Sequence, residues 1–162
     1  MMYDLKDLYT FQSASGSHAQ VISTSAAAHT FASTNYKDHG PLASGNSVHH
    51  LDRANLWLNI RVVDALVSTN VGTMAVTFVT ANDTAFTGSS VAFTPVAAAV
   101  ASVGWAAGQE YSVPFPKADY GRYSRLHFTG ATHIITAGSV IAVLADEPGR
   151  FTAFDQDASV FN

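Results

Sequence analysis

The chain has 162 residues, enough for one domain with a core of its own. Its formal charge is −4, and its lysines, Lys6, Lys37 and Lys117, make no basic stripe, so nucleic acid is excluded as an expected partner. Only 12% of residues are charged, against roughly 25% in an ordinary soluble domain.

Hydrophobic residues make up 48% of the chain, which leaves too few charges to coat a free surface. Part of that surface is expected to be covered by other protein chains. Cysteine is absent, which removes disulfides and thiolate metal sites and suits synthesis in a reducing cytoplasm.

The N-terminus, "MMYDLKDLYTF", carries two aspartates and no long apolar run, so it does not read as a secretory signal. Residues 1–16 read as an N-terminal arm, 17–147 as a β-sandwich domain and 148–162 as a C-terminal arm. "HAQVIST" and "HTFAST" are candidate short strands, and "YKDHGPLASGNSVHHLD", within 36–53, reads as a long connection of turn formers. "LWLNIRVVDALV" alternates, with Leu56, Leu58, Ile60 and Val62 on one face and Trp57, Asn59 and Arg61 on the other. "TMAVTFVT" groups Met74, Val76 and Phe78 in the same way.

No charged residue appears from Thr84 to Gln109, a run long enough to suggest a membrane span. Pro95, Gly104 and a majority of alanine argue instead for a strand followed by a small-residue loop. "EYSVPF" aligns Tyr111, Val113 and Phe115, with Pro114 marking a strand end or an edge. "SVIAVLAD" is apolar on both faces, as in a strand between two layers. About eight strands and no helical periodicity predict an all-β fold: a two-sheet, jelly-roll-like β-sandwich with extended terminal arms.

Chemistry-bearing patterns are weak. His49, His50 and Asp52, with Asp38 and His39 upstream, invite a metal reading, but adjacent histidines on an extended chain point opposite ways. "GNSVH" around Ser47 lacks the closing glycine of a nucleophile elbow. Asp155 and Asp157 sit in the tail, and there is no glycine-rich phosphate loop. No enzymatic activity, cofactor or metal is expected.

"GRYSRLHFTG" is the densest polar run. As a strand it puts Tyr123, Arg125 and His127 on one side and Arg122, Ser124, Leu126 and Phe128 on the other. The two arginines diverge, which is poor geometry for one anion, and Tyr with Arg is the composition of an interface hot spot. This face reads as contact surface. Phe151, Phe154 and Phe161 of the C-terminal arm join it as expected interface residues, as do Tyr9 and Phe11 of the N-terminal arm, because aromatics in polar tails gain by docking on a neighbour, although docking on their own domain is equally compatible with the sequence.

The order of segments resembles the capsid cement, or decoration, proteins of tailed bacteriophages. The resemblance rests on "FQSASGSHAQ", "STNYKD", "LWLNIRVVDAL", "TMAVTFVTANDTAF" with its Asn-Asp turn closed by Phe86, and "GRYSRLHFTGATHIITAGSVIAVLAD". It covers roughly residues 4 to 146. The "HGPLASGNSVHH" loop and the aromatic tail after Glu147 depart from the pattern. The resemblance implies a homotrimer on the outer surface of an icosahedral head, at three-fold and quasi-three-fold positions, bridging major capsid protein subunits. It therefore implies a virion location, with no membrane and no nucleic acid as partner. The competing expectation is a virion-surface or tail-associated β-sandwich that binds host glycans, with Trp57, Trp105 and the tyrosines as stacking platforms.

Overall fold

In the computed structural model the described residues are 9–10, 19–23, 29–39, 56–69, 72–99, 105–116, 120–131 and 134–149. They form nine strands: β1 (Gln20–Val21), β2 (Thr30–Ala32), β3 (Lys37–Asp38), β4 (Trp57–Ser68), β5 (Thr73–Ala81), β6 (Ser90–Ala99), β7 (Glu110–Pro114), β8 (Tyr123–Ala131) and β9 (Ile135–Ala145). One sheet has the order β1-β9-β4-β7 and the other β2-β8-β5-β6, with β3 also on β8. β2 pairs with residues 127–129 of β8 and β3 with residues 123–124, so the two act as one interrupted edge strand.

Counted in that way there are eight antiparallel strands in two sheets of four. The first pairs with the last, the second with the seventh, the third with the sixth and the fourth with the fifth. This nested pairing is the jelly-roll arrangement of a β-sandwich, as the sequence predicts. Among the described residues no helix is long and apolar enough to cross a membrane, and the uncharged run contains β6.

Period-two alternation makes the core. Leu58, Ile60 and Val62 of β4 and Val140, Ala142 and Leu144 of β9 face Met74, Val76 and Phe78 of β5 and Leu126 and Phe128 of β8. Phe115, just past β7, meets Phe78 edge-on at 4.7 Å between ring centres and Phe93 at 5.0 Å, with Tyr120 at 5.1 Å. Such edge-to-face pairs add to the energy of burial. Pro114 ends β7, an edge strand, where its missing N–H removes no ladder bond.

Alternation along β4 breaks after Val62, where the register to β9 shifts. Beyond the bulge Leu66 turns inward, while Val63 and Val67 turn to the surface. Gly138 makes the close approach possible: its φ is +134°, and a Cβ there would lie 2.8 Å from the Leu66 Cα.

The long connection expected from Tyr36 is shorter at its start, because Lys37 and Asp38 pair with Ser124 and Tyr123. A second departure concerns Tyr9. Placed among the contact residues from sequence, it is fully buried in this chain's own core, edge-on to Phe78, and its N–H donates to the Ala142 carbonyl. The Ala142 N–H in turn donates to Thr10 Oγ1, so these two residues run along β9 as core, and Tyr9 offers nothing to a partner.

Candidate functional site

The candidate site lies on the outer face of β8. Along this strand Ser124, Leu126 and Phe128 are buried, and Tyr123, Arg125 and His127 are half-buried on the opposite face, as the alternation predicts. In register, Ala81, Val79 and Thr77 of β5 lie beside Tyr123, Arg125 and His127. Val79 and Ala81 are buried although they are on the outside of the sandwich, because the turn after β5 folds back over them and seats Phe86 there. Together they form a small outer core against which Tyr123 packs.

The turn is built locally. The Phe86 N–H donates to the Asp83 carbonyl, and Asp83 Oδ1 accepts from the Thr87 N–H. Phe86 has φ +57°, a left-handed conformation that a bulky side chain adopts at a cost of about 1–3 kcal/mol. Burial of its ring, which is 5% exposed, offsets that cost. Gly121 allows the start of β8 to lie against the end of β5, since a Cβ there would fall 2.6 Å from the Ala81 carbonyl oxygen.

Tyr36 comes from the segment between β2 and β3 and stands edge-on to both Phe86 (6.2 Å) and Tyr123 (5.9 Å), yet is 50% exposed. The Arg125 guanidinium lies over the Phe86 ring, its carbon 4.1 Å from the ring centre. Arg122 lies over Tyr123 and holds Asp38 through two nitrogens, Nε to Oδ1 and Nη2 to Oδ2, each at 2.8 Å. That hydrogen-bonded pairing raises the Arg122 pKa. Arg125 has no such carboxylate among the described residues; its Nε is enclosed without an acceptor, and burial lowers its pKa. Burial, and then the charge of Arg125, lower the pKa of His127.

Below this face, Ser124 Oγ lies 2.6 Å from His39 Nε2 and 2.7 Å from the Tyr9 hydroxyl. A Ser–His contact has the look of a nucleophile and its base. Ser124 is fully buried inside the sandwich, however, and this polar chain ties β3, β8 and the Tyr9 segment together. Asp38 is committed to Arg122 and His39 to Ser124, and among the described residues no group of three or more metal-ligating side chains converges. His49, His50, Asp52 and Ser47 lie outside the described residues, as do Phe11, Phe151, Phe154, Phe161, Asp155 and Asp157.

Of the expected contact residues, the structure therefore brings together Tyr123, Arg125 and His127. Sequence reading missed Phe86 and Tyr36 as members of the same patch. The Asn-Asp turn closed by a phenylalanine was the available signal for the first. Trp105, one of the two tryptophan platforms of the glycan reading, is 1% exposed and packs in the core, 5.7 Å from the Tyr111 ring. Trp57 is half-buried in β4.

The Bbp16 family model matches residues 16–144, every strand from β1 to the penultimate residue of β9. No curated protein matches the chain. A match over that length of a 162-residue chain settles its membership: the protein belongs to the Bbp16 family.

Proposed function

We propose that the chain is a capsid cement protein, which binds the outer surface of an icosahedral phage head and clamps neighbouring major capsid subunits. The observation that carries the reading is the outer face of β8, where Arg125, Tyr123, Tyr36 and Phe86 cluster on the sheet around a cation that has no carboxylate among the described residues. Such a composition makes strong protein contacts, because each group combines apolar area with a directional polar end. Sparse charge and an order of segments that resembles that of cement proteins support the same reading.

Clamping works by multivalency. Once one contact forms, the others on a symmetric set of copies become intramolecular, and modest interfaces add to high avidity. A cyclic assembly repeats one patch pair around its axis, and three-fold symmetry is what the resemblance implies.

The test is to mix the purified chain with undecorated heads and sediment them. Binding at a fixed ratio to the major capsid protein, with a rise in the temperature at which heads break, is expected; a chain left in the supernatant overturns the reading. Light scattering of the free chain and the bound ratio decide the symmetry. A ratio in pairs keeps cementing and replaces the trimer. Deleting residues 151–162 is expected to weaken particle binding more than it lowers the melting temperature of the chain. An unchanged occupancy after that deletion removes the tail from the contact.

A further inference from the structure

Arg122 and Arg125 stand three residues apart and are treated very differently. Arg122 is paired: a carboxylate of its own chain engages one edge of its fork through two hydrogen bonds. Arg125 has a comparable aromatic floor, Phe86, but no carboxylate, and its Nε is buried with no acceptor among the described residues. The guanidinium is half-buried, and an enclosed N–H without an acceptor is unfavourable on its own. It is held there by a turn whose central residue, Phe86, is itself in a left-handed backbone conformation. An uncompensated cation kept in place by a strained turn is a pattern of pre-organised recognition sites rather than of surfaces selected for stability alone.

We propose that Arg125 is a socket for one carboxylate of a protein partner, an aspartate or glutamate side chain of the major capsid subunit; the identity of that partner rests on the cement reading. The carboxylate meets the outer guanidinium nitrogens, since Nε is enclosed, above Phe86, whose ring the half-exposed Tyr36 also touches. Charge complementarity selects the occupant: among the described residues no carboxylate pairs with Arg125, Asp38 being used by Arg122 and Asp83 accepting from the Thr87 N–H in its own turn. An arginine with no carboxylate among the described residues, stacked on Phe86 beside the Tyr36–Tyr123 pair, fits one carboxylate among apolar contacts. A nucleic-acid backbone would call for a row of cations, which the composition lacks. Desolvation by the partner strengthens the pair, so the contact fixes where the sandwich sits on the shell as well as how tightly.

Arg125→Gln and Arg125→Lys test the socket. Arg125→Gln is expected to leave the melting temperature of the free chain unchanged or raised, since it removes an unsatisfied charge, and to weaken binding to undecorated heads at least tenfold. Arg125→Lys is expected to restore part of the binding, and the wild-type affinity to fall with salt more steeply than that of Arg125→Gln. Wild-type affinity and salt dependence in Arg125→Gln would overturn the socket and leave cementing intact.

A second measurement is independent of particles. The Arg125 Nε–H is shielded from water, so its resonance is observable in the free chain, and it is expected to move on titration with N-acetylglutamate. Movement with inorganic phosphate alone at matched ionic strength, or with neither, overturns the carboxylate assignment. If the wild-type chain fails to bind heads but N-acetylglutamate still moves this resonance, the capsid partner is wrong and the socket stands. Loss of self-association in Arg125→Gln, with head binding retained, would make the occupant a second copy and overturn the capsid assignment.

Discussion

The Arg125 guanidinium carbon lies 4.1 Å from the centre of the Phe86 ring, and the two residues reach each other only because the turn after β5 folds over the outside of the second sheet. Phe86 is therefore both the lid of the outer core and the floor of the arginine. Phe86→Ala is expected to cost about 3 kcal/mol, in the range for losing a buried phenyl ring. Alanine keeps the steric penalty of a positive φ, and glycine does not. Phe86→Gly is thus expected to be no worse than Phe86→Ala, and better by up to about 1 kcal/mol. Urea unfolding of both variants decides the point, and a glycine variant clearly less stable than the alanine one contradicts it.

Ser124 concentrates three elements on one hydroxyl, with Tyr9 and His39 both within hydrogen-bond distance. Ser124→Ala leaves two buried polar groups to find new partners and is expected to cost about 1–3 kcal/mol. Tyr9→Phe is expected to cost about 1 kcal/mol in the wild-type chain and less in the Ser124→Ala background. Simple additivity in this double-mutant cycle would mean that the Tyr9 hydroxyl draws nothing from Ser124.

How much of this was legible in the sequence follows from where each contact comes from. β4, β5 and β8 are readable because the inner face of each is buried, so alternation of Leu58, Ile60 and Val62, or of Ser124, Leu126 and Phe128, is imprinted along the strand. β9 shows as an apolar run buried on both faces, and β7 through Tyr111 and Phe115, which pack on the core. β3 leaves no such imprint: Lys37 and Asp38 owe their pairing to the backbone of β8. The break in β4 after Val62 was invisible because a bulge is specified by its partner strand, here through Gly138. The face of Tyr123, Arg125 and His127 could be read from period two alone. Phe86 and Tyr36 join it through turns, and no periodicity records a contact made across 39 residues of chain (Phe86 to Arg125, 125 − 86) or 87 (Tyr36 to Tyr123, 123 − 36). Tyr9 went astray for the same reason, since an aromatic near a terminus looks alike whether it docks at home or on a neighbour.

Asn59 is a polar residue that alternation sets on the outer face of β4, yet it is fully buried. Its side-chain amide explains this: Nδ2 donates to the Glu147 carbonyl, and Oδ1 accepts from the Gly149 N–H. The residue fastens the turn that follows β9. Asn59→Leu keeps the volume but removes the bond to the Glu147 carbonyl and the one from the Gly149 N–H, which still donates to Ser112 Oγ. A loss of about 1–3 kcal/mol is expected. Faster amide exchange at Gly149 than in the wild-type chain is expected with it, and unchanged exchange would mean that the turn is held by other contacts.

His127 sets the acid limit of this face. Thr77 of β5 and Ala32 of β2 flank it in register, and neither titrates, so Arg125 is the charged neighbour among the described residues. Burial, reinforced by Arg125, lowers its pKa in the folded chain. The unfolded chain, with an ordinary histidine near 6.5, then takes up a proton at a pH where the folded chain still refuses it. The contribution of neutral His127 to stability is complete above about pH 6.5 and is lost as pH falls toward the folded pKa. His127→Gln is expected to flatten the fall of Tm between pH 7 and pH 5, and Arg125→Gln to flatten it in part by removing the repelling charge. An imidazole titration followed by NMR measures the shift directly, and a His127 midpoint above that of a free histidine would reverse the sign of the whole argument.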